Sequence, residues 1–98
     1  MNEYTPDRWC LIEADKGLVK VFSMWGESYL CGASWRSNSG IEKVTQTEDY
    51  YLFHGFSGSV YNCRKNAYGL TPYGASVLSH ADLEPMTEEE AIETIKKL

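Results

Sequence analysis

The sequence predicts an α+β fold in which a curled antiparallel sheet of about five strands, a meander or a small half-barrel, precedes two short C-terminal helices. Short apolar and aromatic runs separated by turn formers fill residues 1–66, as is typical of consecutive antiparallel strands. Helical spacing of apolar residues follows residue 70. Because 98 residues leave room for one domain, we expect a single domain with a sheet part over 1–66 and a helical part over 70–98.

The first two predicted strands form a hairpin after a polar lead-in. The runs RWCLIE at 8–13 and LVKVFSMW at 18–25 are rich in β-branched and aromatic residues. The turn between them contains Gly17, which can adopt a positive φ without steric cost.

The segment GESYLCGASWRSNSG at 26–40 is predicted to be a loop, because glycines and serines interrupt it too often for a long strand. It nevertheless contains Tyr29 and Trp35. Large rings in a loop either fold back on the core or contact a ligand. We expect these two rings to belong to a binding surface.

Three further strands are predicted over IEKVTQ at 41–46, DYYLFH at 49–54 and SVYNC at 59–63. Alternation in the middle run separates Tyr51 and Phe53 from a second face that carries Tyr50, Leu52 and His54. One face should pack on the core, and the second should need a cover. The predicted core positions are Trp9, Leu11, Phe22, Phe53 and Val60.

The first helix is predicted to begin at Thr71 as N-cap, followed by Pro72 at the first helical position, and Gly74 should weaken it. Its predicted buried stripe consists of Tyr73, Val77 and Ala81, with Leu70 and Leu78 beside it.

Pro85 should end the first helix, and a capping box of Thr87 and Glu90 predicts the start of the second. The second helix has an apolar stripe that must dock on the sheet or on another subunit, because so short a helix is marginal alone. That stripe consists of Ala91, Ile92, Ile95 and Leu98. We expect a homodimer, since one short helix cannot cover the second face of the sheet.

The net charge of −5 argues against duplex DNA or RNA as a partner, because phosphate binding needs a basic stripe. The acidic residues are concentrated late in the chain. They form either the solvated face of a helix or a surface that docks on a basic host protein. The acidic residues concerned are Asp82, Glu84, Glu88, Glu89, Glu90 and Glu93.

The cysteines Cys10, Cys31 and Cys63 have no C-x-x-C spacing, so we expect no metal site, no cofactor and no disulfide framework. No signal peptide or bilayer-length apolar run is evident, and no membrane association is expected. A reducing cytoplasm fits these features.

No motif fixes a reaction. The run GFSGS at 55–59 lacks the G-x-S-x-G spacing of a nucleophile elbow, and a turn is the simpler interpretation. A cysteine paired with His54 could form a nucleophile and a base, although buried free thiols are commoner. A small hydrolase is therefore a residual alternative, and we expect a protein that is not an enzyme.

Four stretches, namely DRW, the later Trp25-Gly26, GASWRSNSGIEKV and FHGFSGSVYNCRKNAYG, resemble small accessory proteins encoded by tailed bacteriophages. The resemblance covers residues 7–73 and brings no assigned catalytic or binding residues with it. It implies a phage product that acts in the host cytoplasm, where such proteins often bind and block a host factor of a defence system.

Two binding hypotheses follow. In the first, the protein binds and inhibits a host bacterial protein, because its acid can steer the encounter and its aromatic residues can anchor it. In the second, it sequesters a small nucleotide-type signalling ligand by ring stacking and arginine–phosphate pairing. The predicted binding residues are Tyr29, Trp35, Arg36, Ser57, Ser59, Tyr61 and Arg64.

Overall fold

A computed structural model describes residues 2–14, 17–28 and 32–98. Within these ranges the chain forms strands and then two helices, so the α+β class and the C-terminal place of the helices are confirmed. The elements in chain order are β1 (Glu3–Tyr4), β2 (Arg8–Glu13), β3 (Val19–Ser28), β4 (Gly32–Ser37), β5 (Ile41–Gln46), β6 (Tyr50–Gly55), β7 (Val60–Arg64), α1 (Pro72–His80) and α2 (Glu88–Lys97).

The strands form two sheets, which corrects the prediction of one sheet of about five strands. In the four-stranded sheet the order is β1-β7-β6-β5, with β1 parallel to β7 and the other pairs antiparallel. The three-stranded sheet has the order β2-β3-β4 and is antiparallel.

The prediction of a loop over 26–40 is wrong, because residues 26–28 and 32–37 of that segment belong to paired strands. β3 continues to Ser28, and β4 pairs with it from Gly32 to Ser37. The register shifts between Trp25 and Ser28, so the pairing there is irregular. Serine and glycine are tolerated because β4 lies at the edge of its sheet, where one side of the strand meets solvent.

The two sheets pack face to face around a shared core. Trp9, Ser23 and Arg36 form one row across the three strands of the three-stranded sheet. At one end of this row the Trp9 indole N–H donates to the carbonyl oxygen of Arg64 over 2.7 Å. At the other end the Arg36 guanidinium lies 4.6 Å from the centroid of the Tyr4 ring, which stacks on Tyr61. Arg64 and Tyr61 both belong to β7, so this strand lies against the three-stranded sheet.

The chain passes from one sheet to the other at a corner built on Asn38. This side chain is buried, and its Oδ1 accepts from the Val21 N–H at 2.9 Å and from the Gly40 N–H at 3.3 Å. Gly40 has φ +128°, a conformation that residues with a Cβ rarely adopt. The corner therefore fixes where β4 ends and β5 begins.

β2 is buried on both of its faces. Trp9 and Leu11 face the four-stranded sheet, whereas Cys10 and Ile12 face α1. All five predicted core positions are buried, which confirms that prediction. The inter-sheet core contains Trp9, Leu11, Val21, Ile41, Phe53, Tyr61, Cys63, Ala67, Ala91 and Ile95.

The helix α1 begins as predicted, since the Thr71 side chain accepts from the Gly74 N–H at 3.0 Å and Pro72 occupies the first turn. The predicted stripe is confirmed in part. Leu78 is buried, and Leu70 and Val77 pack against the same cluster, whereas Tyr73 is 45% exposed and Ala81 is exposed. Gly74 is buried against the three-stranded sheet. A Cβ on Gly74 would overlap Met24 Sδ, so the glycine permits the closest approach of helix and sheet.

The helix α2 has the predicted capping box. Only part of its predicted stripe is buried, because Ala91 and Ile95 enter the core while Ile92 and Leu98 remain 37% and 48% exposed. On the outer face of the four-stranded sheet, Tyr50 and Leu52 are half-buried.

We expect Phe53→Ala to lower the free energy of unfolding by about 3–5 kcal/mol, through lost burial and a residual cavity. Phe56 is a matched control because its ring is 60% exposed, and Phe56→Ala should change stability by about 0.5 kcal/mol. Urea denaturation measures both. Similar midpoint shifts for the two variants would contradict the burial of Phe53 between the sheets.

We expect Gly74→Ala to destabilise the protein by about 1–3 kcal/mol, even though alanine favours helices, because the new methyl group overpacks against Met24. Ser76→Ala, at an exposed position of the same helix, is the control and should be neutral or slightly stabilising. A rise in melting temperature for Gly74→Ala would show that α1 can move away from β3 at little cost.

Candidate functional site

A groove of about 540 Å³ lies where the linker between α1 and α2 passes the end of β2. Carboxylates surround an apolar floor. We call it the acidic groove; its lining is Glu13, Asp82, Leu83, Glu84, Pro85, Met86, Glu90 and Thr94. A second groove of about 360 Å³ lies on the other side of the same linker and shares Asp82, Leu83, Glu84 and Pro85 with it.

The floor of the acidic groove is fixed to the edge of β2. The Met86 N–H donates to the Leu11 carbonyl oxygen at 2.9 Å, and Pro85 bridges to Ile12. The Tyr68 hydroxyl accepts from the Leu11 N–H at 3.2 Å and donates to the Met86 carbonyl oxygen at 2.6 Å. Burial raises the pKa of Tyr68 to about 12, so this hydroxyl keeps its proton at neutral pH.

One wall begins at the C-terminal cap of α1. Asp82 adopts φ +56°, and its N–H donates to the Ser79 carbonyl oxygen at 3.2 Å. The Leu83 N–H donates to the Leu78 carbonyl oxygen at 2.9 Å, which completes a Schellman motif. Glycine is the usual residue at this left-handed position, so the chain accepts local strain to place a carboxylate there.

The opposite wall is the first turn of α2. Glu90 Oε1 accepts from the Thr87 N–H at 3.0 Å, and this hydrogen bond lowers the pKa of the Glu90 carboxyl. Thr94 donates to the Glu90 carbonyl oxygen at 2.8 Å. The capping box therefore holds an ionised carboxylate at the rim.

The carboxylates that line the groove form no ion pair in the described part of the chain. The ion pair found there joins Lys96 to Glu93 at 3.7 Å and lies outside the groove. Glu88 and Glu89 are exposed beside Glu90 and extend the negative surface. Negative potential therefore concentrates on one side of the molecule, next to apolar groups.

The predicted binding residues do not converge on one place. Trp35 lies on β4, stacks on Phe22 with ring centroids 5.4 Å apart, and is 44% exposed on the α1 side of its sheet. Arg36 points to the opposite side, where its guanidinium lies 4.6 Å from the Tyr4 ring centroid. Neighbours in a strand alternate between faces, so these two residues serve different surfaces.

The remaining predicted residues are also dispersed. Tyr61 is 2% exposed, so its assignment to an exposed binding surface is corrected: its ring stacks on Tyr4 inside the structure. Ser57 and Ser59 lie in the β6–β7 turn, and Arg64 lies at the far end of β7. Tyr29 falls outside the described residues.

Arg64 does line a pocket of its own, with a volume of about 320 Å³. Its guanidinium lies 5.9 Å from the Tyr50 ring centroid. The neighbouring Lys65 donates to Gln46 Oε1 at 2.8 Å, and Glu48 and Asp49 line the same pocket. The charges of Glu48 and Asp49 balance those of Arg64 and Lys65, so the side chains give the pocket no net positive charge.

The cysteine chemistry considered from the sequence finds no support in the geometry. Cys63 is buried on the inner face of the four-stranded sheet, whereas His54 shares the outer face and contacts Thr45 at 3.0 Å. Burial raises the pKa of the Cys63 thiol, and raises that of Cys10 to about 12, which disfavours the reactive thiolate. Cys31 lies outside the described residues.

No protein-family model, curated protein or solved structure matches the chain. A function therefore has to follow from the geometry of its own residues. Within residues 2–14, 17–28 and 32–98, no three His, Cys, Asp or Glu side chains are grouped so as to hold a metal ion. Neither helix of the described part is long and apolar enough to cross a membrane.

Sequence reasoning identifies the acidic residues near the C-terminal end of the chain, but it misses the groove that some of them line. It assigns Pro85 only to the end of a helix, and it gives Leu83 and Met86 no role. One feature of the sequence indicates the groove. In ADLEPMTEEE, apolar residues stand between the acidic ones without helical spacing, which does not fit a simple solvated helix.

Tyr68→Phe tests the frame of the acidic groove. The change leaves the Leu11 N–H and the Met86 carbonyl without their shared partner and should cost about 1–3 kcal/mol of stability. Tyr73→Phe is the control, since its hydroxyl belongs to a ring that is 45% exposed. Equal stability of Tyr68→Phe and the wild type in thermal unfolding would show that the linker is held without this hydroxyl.

Proposed function

We propose that this chain is a non-enzymatic accessory protein of a tailed bacteriophage that binds a basic surface of a host bacterial protein in the cytoplasm and blocks it. The observation that carries the proposal is the acidic groove, in which four carboxylates border the apolar Leu83, Pro85 and Met86. The phage origin and the link to host defence rest on the sequence resemblance alone.

The composition of the groove supports a protein partner. Lysine and arginine side chains combine a cationic head with an apolar stem, so they match carboxylates that surround an apolar floor. Uncompensated acid accelerates the encounter with a basic surface, and desolvated apolar contacts then slow dissociation. The open, shallow shape of the groove accommodates a protruding segment of a partner better than it encloses a small molecule.

The pocket beside Arg64 supports a second candidate, the sequestration of a small nucleotide-type ligand. Tyr50 offers a ring for stacking, and Arg64 offers a guanidinium for a phosphate. Glu48 and Asp49 line the same pocket and repel an anion. The nucleotide hypothesis is therefore the weaker of the two.

The proposed function is tested by capture of host proteins from bacterial lysate on immobilised wild type and on the triple variant Glu13→Lys, Asp82→Lys, Glu84→Lys. We expect a specific partner to be captured by the wild type and lost in the variant, with an association rate that falls as salt is raised. The control is Glu3→Lys, Glu42→Lys, Glu48→Lys, which changes the net charge equally outside the groove and should keep the partner.

Three outcomes would contradict this assignment. Retention of the partner by the groove variant would place the interface elsewhere, and loss in both triple variants would reduce the effect to net charge. A rise in melting temperature with a nucleotide panel, abolished by Arg64→Ala, would favour sequestration of a small ligand instead.

A further inference from the structure

The strand edges of the two sheets are unequally protected. β1 has only two residues, and β5 carries Glu42 and Lys43 with a register shift between Ile41 and Lys43. Short edge strands, charges and bulges are the usual means of preventing a foreign strand from pairing. Both edges of the four-stranded sheet are therefore guarded.

The β2 edge of the three-stranded sheet is covered by the chain itself. The Trp9 N–H donates to the Ala67 carbonyl oxygen at 3.4 Å, and the Trp9 carbonyl oxygen accepts from Gly69 at 2.9 Å. The Leu11 N–H and carbonyl oxygen are bound by Tyr68 and Met86, respectively. The outward backbone groups of these two residues are thus all satisfied.

β4 is the exception. The Asn38 N–H donates to the Val21 carbonyl oxygen at 3.2 Å, so in the alternating antiparallel pattern Arg36 and Ser34 point their backbone groups at β3. Trp35 and Ser37 must then point theirs away from it. Within the described ranges, the backbone N–H and C=O groups of Trp35 have no hydrogen-bond partner.

The β4 edge also carries fewer charged guards than β5. It contains no proline and no acidic residue, and Arg36 is its one charged residue. The nearest acids along the chain are Glu27 and Glu42, in a protein whose net charge is −5. Two copies of this acidic protein repel each other electrostatically, and the repulsion is weakest at a surface without acidic residues, such as the β4 edge.

We propose that β4 pairs with β4 of a second copy, antiparallel about a two-fold axis that places Trp35 opposite Trp35 of the second copy. Each Trp35 N–H donates to the opposite Trp35 carbonyl oxygen, and Ser37 pairs with Ala33 of the second copy. A two-fold axis uses one surface twice, and this register is self-complementary. The two three-stranded sheets then form one continuous sheet.

The side chains agree with this register. Trp35 is 44% exposed although it stacks on Phe22, and a cross-strand pair of indoles on the same face covers both rings. Arg36 lies opposite Ser34 of the second copy, so the two guanidinium groups do not face each other. The dimer expected from the sequence is thereby assigned to a strand edge.

A charge-swap experiment tests the register. We expect light scattering at micromolar concentration to give twice 11.1 kDa for the wild type and 11.1 kDa for Trp35→Lys and for Trp35→Glu, each of which opposes like charges at the axis. An equimolar mixture of these two variants should return to twice 11.1 kDa, because the ammonium group introduced in one copy then faces the carboxylate introduced in the other.

Two controls separate assembly from folding. Thr45→Lys and Thr45→Glu place the same charges on β5, the guarded edge, and should leave the mass unchanged. Ser37→Pro removes an outward N–H that β3 does not use, so it should yield a folded monomer with unchanged far-UV circular dichroism. A wild-type mass of 11.1 kDa at all concentrations, variants that remain dimeric, or a mixture that stays monomeric would each overturn the proposal.

Discussion

The fold depends on the position of Trp9 between the two sheets. Its indole N–H binds the Arg64 carbonyl oxygen on β7, and its ring meets those of Phe53 and Tyr68 at centroid distances of 5.3 and 4.8 Å. Its backbone holds residues 67–69, which lead into α1. One residue thus joins the two sheets through its side chain and sets the path to the helices through its main chain. The sheet on one side and α1 on the other bury both faces of β2.

The packing of the sheets and helices also decides which surfaces stay open. The four-stranded sheet covers one face of the three-stranded sheet, and α1 covers the opposite face. The linker after α1 then closes the β2 edge through Pro85 and Met86. The β4 edge and the acidic groove are left at opposite edges of the same sheet.

The sequence predicted local structure well where one physical rule acts alone. Both helix starts followed from capping chemistry at Thr71 and Thr87, and the core residues followed from apolar runs. It failed where tertiary context decides. The glycines and serines of 26–40 suggested a loop, but pairing with β3 overrides their low strand propensity. No local pattern in the sequence shows that Tyr61 is covered by Tyr4, or that the linker acids gather around Met86, since both depend on contacts between distant segments.

The two proposed surfaces divide the charge of the molecule between them. Acid collects where β2 and the α1–α2 linker meet, and the strand at the other edge of that sheet has none. A basic partner and a second copy therefore do not compete for one surface. Pairing through β4 would also place two acidic grooves on one rigid continuous sheet, at its two outer edges. A host protein that is itself a symmetric oligomer could then engage both grooves at once, and the second contact would form at a high effective concentration. Dimerisation would in this way increase the strength of the block without adding any contact to the groove.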